Sequence, residues 1–168
     1  QKLYIADFDA GKILVANVDG TNLRDFSTGI GSPDAVAIDY ADQKIYWDTD
    51  DGVRRADLAN TDVTQFEDFV IGQANDPEGV SIDPVTHFVF WNNYDGGIWK
   101  KHVNGSGEVQ IAGGEGGGST IIINNRVFFD EYIASGDIRI KSANLDGTGV
   151  ATVATGISRV VFGLAYDK

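Results

Sequence analysis

The chain has 168 residues, a formal net charge of -12, a pI near 4.3, no cysteine and no methionine. A chain of this length can bury the core of one domain without disulfide or metal staples. The acidic balance excludes a nucleic-acid function, because the phosphate backbone rewards clustered Lys and Arg, and it favours cationic groups or divalent metals as partners.

In chain order, residues 4–7 (YIAD) begin with a hydrophobic pair and run into an acid, and residues 13–20 (ILVANVDG) end in an Asp-Gly turn. Such turns need positive φ, which Gly and Asn tolerate. Residues 36–39 (VAID) form a short run of small and β-branched side chains ending in Asp. The three patterns then recur in the same order: 46–49 (YWDT), 53–60 (VRRADLAN), 80–83 (VSID), 90–93 (FWNN), 98–105 (IWKKHVNG), 121–124 (IIIN), 128–131 (FFDE), 140–147 (IKSANLDG) and 164–167 (LAYD). Looser apolar segments such as 63–70 and 150–153 follow the turns as outer strands. The aromatic starts Tyr4, Tyr46, Phe90 and Phe128 lie 42, 44 and 38 residues apart, near the ~40–45 residues of a four-stranded propeller blade. No apolar stripe at i, i+3, i+4 supports a helix, and no apolar run approaches the ~20 residues of a membrane span.

These four units resemble YWTD repeats, the class B repeats of the low-density-lipoprotein receptor, over essentially the whole chain. They depart from the pattern in places. Tyr46-Trp47-Asp48-Thr49 transposes the last two letters, the first and fourth units lack the Trp, and Asn92-Asn93 replace the acid in the third. The resemblance implies a β-propeller that recognises extracellular ligands, though YWTD domains have six blades and four units stand here. The expected fold is all-β: a single domain over 1–168, four blades of four antiparallel strands each. Because the chain starts at a second strand and stops after an inner one, residues 161–167 are expected to pair with the strand around 3–7 and close the ring of a monomer. The alternative is an open arc that dimerises into an eight-bladed ring.

Trp47, Trp91 and Phe129 occupy one slot of successive units and are expected in the wedges between blades. Trp99 differs, since its slot elsewhere holds Leu14, Arg54 and Lys141; an exposed Trp there would stack on a sugar or anchor a protein partner. One rim is expected to collect Asp7, Asp9, Asp34, Asp48, Asp50, Asp51, Asp76, Glu78, Asp95, Asp130, Glu131 and Asp137, with Arg159 the clearest base among them. Asp34 and Glu78, beside Pro33 and Pro77, fall nearest the channel and are the candidate ligand-binding carboxylates. The D-x-D-x-G spacing at 7–11 and 48–52 makes Asp7, Asp9, Asp48 and Asp50 candidate Ca2+ ligands, with plain acidic hairpin turns as the competing reading.

Asp39, Asp83, Asn124 and Asp167 read as turn caps at inner-strand ends. The Gly-rich stretch 113–119 reads as a flexible inter-blade loop. It lacks the Lys and the helix of a phosphate loop. His87 and His102 have no second His at zinc-like spacing and read as structural. Asn104-Gly105-Ser106 is a glycosylation sequon that doubles as a turn. A start on Gln without any Met suits a processed, secreted chain. The expected function is a non-catalytic propeller binding carbohydrate, in lectin-like fashion, or an extracellular protein, with no catalytic residue assigned. The alternative is a divalent-metal-dependent hydrolase or lactonase with its site at the acidic channel rim.

Overall fold

Alternating β-branched and aromatic residues, punctuated by Gly, Asn and Asp, produce short strands joined by tight turns. In the computed structural model, which describes residues 1–73, 76–133, 136–158 and 161–167, every regular element is a strand. The first sheet holds β1 (Lys2–Asp7), β2 (Lys12–Asn17) and β3 (Arg24–Thr28). The second runs in order β4 (Val36–Asp39), β5 (Lys44–Thr49), β6 (Gly52–Asp57) and β7 (Glu67–Ile71). β8 (Pro77–Asp83), β9 (Phe88–Asn93), β10 (Gly97–His102) and β11 (Val109–Ala112) make the third. β12 (Glu115–Ile123), β13 (Arg126–Ile133), β14 (Asp137–Asn144) and β15 (Ala151–Ser158) make the fourth. All pairings are antiparallel between chain neighbours, so each sheet is an up-and-down blade.

Three apolar wedges hold the blades together. Ile13, Val15, Phe26 and Ile30 pack against Ile45 and Trp47 between the first two blades. Tyr46, Val53, Phe69 and Val70 meet Val80, Val89 and Trp91 between the second and third, and Phe90, Ile98 and Ile111 meet Val127, Phe129 and Ala143 between the third and fourth. Trp47, Trp91 and Phe129 are almost wholly buried there, as their shared slot predicted. Basic side chains add ties between blades: Arg55 donates to the Val103 carbonyl at 2.6 Å, and Lys100, in the equivalent register position opposite the second strand, donates to the Leu145 carbonyl at 2.5 Å.

The strand pairing expected to close the ring is not formed among the described residues. Among the described residues β1 pairs only with β2, residues 161–167 carry no strand, and no apolar cluster joins the fourth blade to the first. Leu3 and Ile5 of β1 remain exposed. In the second and fourth blades a carboxylate on the second strand, Asp48 or Asp130, accepts the N–H groups that start the inner strand; the third blade has Asn92 in that slot and the first has Ala6. Residues 162–164 lie instead beside the starts of the three inner strands, next to Val36, Val80 and Thr120.

Two smaller expectations also change. The Gly-rich stretch is largely strand, with β12 beginning at Glu115, and its glycines permit close approach: a Cβ at Gly116 would collide with the Asn93 carbonyl and one at Gly117 with the Asp130 carboxylate. Asp39 and Asp83 do cap their turns through their side chains, but Asn124 instead supplies, with Asn125, the two positive-φ residues of a two-residue hairpin.

Candidate functional site

Asp48 organises the channel mouth. It is fully buried in β5, where its Oδ1 accepts the N–H of Asp34 at 3.0 Å and of Ala35 at 2.9 Å, and its Oδ2 accepts the N–H of Gly79, in the next blade, at 2.7 Å. One carboxylate thus fixes the starts of two inner strands. Gly79 sits in a bulge between Glu78 and Val80 with φ of +66°, and a Cβ there would stand 2.6 Å from the Gly118 carbonyl oxygen. Bulges of this kind re-aim the neighbouring side chain, here that of Glu78.

The result is a cavity of about 330 Å³ lined by Phe8, Asp34, Glu78, Tyr94, Gly118 and Phe162. All four blades and the C-terminal segment contribute to it. Tyr94 is placed by its N–H to the Asp76 carbonyl, 3.1 Å, and by the Gly116 N–H to its own carbonyl, 2.5 Å. Phe8, at the β1–β2 turn, and Phe162 are exposed aromatics at the edge of the cavity.

The electrostatics are unusual for surface acids. Burial pushes Glu78 up to about 7, assisted by the negative charges of Asp34, Asp76 and Asp130. Asp34 is raised by burial and then by Asp76 and Asp50, and Asp76 by burial and then by Asp50 and Asp95. Asp48 itself is pushed up to about 7 by burial, against the opposing pull of its three N–H donors. The mouth therefore holds several carboxylates that repel one another in a half-dry setting, and a cation relieves them.

The two carboxylates singled out from sequence, Asp34 and Glu78, are brought together in this cavity. Trp99 lies elsewhere. It is half-buried, stacked on Trp91 with ring centroids 6.5 Å apart, and its indole N–H donates to the Gly96 carbonyl at 3.1 Å. In the same slot Arg54 pairs with Asp51 and Asp68, and Lys141 with Glu131, whereas the Trp folds down onto the neighbouring ring. Asp7, Asp9, Asp48 and Asp50 do not converge: among the described residues no three of them bring ligand atoms within 4.8 Å of one another. Both Asp48 oxygens are committed to backbone N–H groups, and Asp7 accepts from Ala10 in its own turn. Glu131 is buried in ion pairs with Arg139 and Lys141. Arg159 lies outside the described residues.

No protein-family model matches the chain. Over 67 residues, 40% of this chain and 4% of the relative's length, it is 28% identical to low-density lipoprotein receptor-related protein 5 of Mus musculus. Among solved structures, a chain of a nidogen/laminin complex superposes with a TM-score of 0.78 at 19% identity, covering 99% of this chain and 65% of that one. The fold is that of a β-propeller. A TolB structure from Agrobacterium tumefaciens shares the propeller at a TM-score of 0.73 and 15% identity, covering 96% of this chain and 65% of its own. The chain thus spans 65% of the length of these two structural neighbours and a small part of the receptor-related protein.

Proposed function

We propose that this propeller is a non-catalytic protein-binding module whose channel mouth receives a basic side chain, Arg or Lys, from an extracellular partner. The observation that carries this is the cavity itself: Asp34 and Glu78 face a space walled by Phe8, Tyr94 and Phe162. Aromatic faces and desolvated carboxylates both favour a cation, the former by cation–π attraction and the latter by charge-assisted hydrogen bonds. A neutral sugar would leave the carboxylate repulsion unrelieved. Binding is favoured over hydrolysis because, among the described residues, the acids of the mouth do not bring three metal-ligand atoms together. The likeness to a structure of a nidogen/laminin complex supports a protein partner, and the YWTD resemblance supports a location outside the cell.

Isothermal titration of the full chain with peptides bearing one central Arg, Lys or Gln, and with oligosaccharides, tests the proposal. Arg and Lys peptides should bind, and Glu78→Gln and Asp34→Asn should each weaken them about tenfold, equivalent to about 1.4 kcal/mol. Affinity should rise between about pH 6 and pH 8 as Glu78 ionises. Equal binding of the Gln peptide, or binding of oligosaccharides alone, would refute it.

A further inference from the structure

On the rim opposite the mouth, the hairpins that join inner to second strands differ between blades at equivalent positions. In the third blade Asp83 caps the turn with both oxygens engaged: Oδ1 accepts the Val85 N–H, and Oδ2 accepts the N–H and the hydroxyl of Thr86. In the second blade Asp39 makes the same cap through Oδ1, to Ala41 and Asp42. Here the position of Thr86 is taken by Asp42, which has no hydroxyl to donate. Asp39 Oδ2 is consequently left buried without a partner, on a residue only 2% exposed. A second carboxylate has replaced the donor, and no ion pair to either acid is present among the described residues.

The third component comes from the neighbouring blade. His87 closes the β8–β9 turn with φ of +56°, and its backbone is fixed by its N–H to the Asp83 carbonyl and by the Val103 N–H to its own carbonyl. Ligand atoms of Asp39, Asp42 and His87 all lie within 4.8 Å of one another. Ligands about 2.1 Å from a tetrahedral ion stand roughly 3.4 Å apart, and the Asp42 side chain is exposed.

We propose that Asp39, Asp42 and His87 form a divalent transition-metal site of the Zn2+ class that clamps the second blade to the third, with water completing the coordination. One imidazole and two carboxylates are a donor set that suits Zn2+ better than Ca2+, which prefers six to eight oxygens. The site is independent of the proposed basic-side-chain pocket and shares no residue with it.

The test is titration of the chelator-treated full chain with ZnCl2 and with CaCl2, together with thermal unfolding in each. The wild type should bind one Zn2+ per chain and gain in melting temperature, as any ligand of the native state requires. His87→Asn, which keeps a residue tolerant of positive φ, should lose both effects while melting as the wild type does without metal. Asp42→Thr, which restores the donor found in the next blade, should lose Zn2+ binding and melt higher than the metal-free wild type. Zn2+ binding retained in both variants, no Zn2+ binding by the wild type, or Ca2+ binding that His87→Asn leaves intact would each overturn the assignment.

Discussion

Removing the Asp48 carboxylate is the most revealing perturbation of the channel mouth. Asp48→Ala strands three N–H donors, those of Asp34, Ala35 and Gly79, in buried or half-buried positions. At about 1 to 2 kcal/mol for each stranded donor the loss is about 4 kcal/mol, or about 8 to 16 °C in melting temperature for a chain of this size. Asp48→Asn keeps one acceptor oxygen for Asp34 and Ala35 but turns an amide donor toward the Gly79 N–H, so it should cost about 2 kcal/mol. The pH dependence adds a second signature. Burial raises the folded pKa from 3.8 to about 7, so the native state holds this proton more tightly than the unfolded chain does. The stability Asp48 contributes through this shift is complete below the unfolded pKa and is lost as pH rises through about 7, at most about 4 kcal/mol for roughly three pH units. The gap between wild type and Asp48→Asn should therefore be wider at about pH 5 than at pH 8. Urea unfolding of the three proteins at both pH values measures all of this. Equal losses for Ala and Asn, or a gap that widens with rising pH, would refute the hub role of Asp48.

Gly79→Ala should destabilise the third and fourth blades by at least about 1 kcal/mol, from its positive φ and from the clash with the Gly118 carbonyl, and should misplace Glu78, which loss of Arg-peptide affinity would report. Arg55→Ala removes the bond to Val103, the ion pair with Glu67 and the stacking over Phe69, and should cost about 1 to 3 kcal/mol in urea unfolding. Trp99→Ala should lower stability by about 1 to 2 kcal/mol through lost packing on Trp91 and leave peptide affinity unchanged; a binding defect in a stably folded variant would restore Trp99 as a ligand residue.

The blades were legible because their signals are local: a turn every few residues, a paired aromatic at fixed spacing, and a slot shared by Trp47, Trp91 and Phe129. That Asp34 and Glu78 would line one cavity was also legible, since each stands beside a Pro at the start of an inner strand. What sequence could not supply was which partner each acid would find. Asp48 read as a metal ligand because D-x-D-x-G describes its neighbours along the chain, whereas its three donors come from residues 13, 14 and 31 positions away. Closure of the ring is likewise not shown among the described residues. The match between residues 164–167 and 36–39 carries the inner-strand pattern, but a local pattern does not specify pairing with a strand some 160 residues away, and among the described residues that pairing is not formed. The grouping of His87 with Asp39 and Asp42 was not legible, because those two lie on another blade rather than at a short spacing along the chain. The Gly-rich stretch misled because glycine composition reports conformational freedom, and here the glycines serve close approach to Asn93 and Asp130.

The most direct test of the proposed function is the titration of the Glu78 carboxyl itself, followed by carbon-detected NMR in the free chain and with a saturating Arg peptide. The account predicts a midpoint near 7 in the free chain, falling well below that when a guanidinium sits between Glu78 and Asp34. A carboxyl that titrates in the ordinary Glu range and does not respond to the peptide would contradict it.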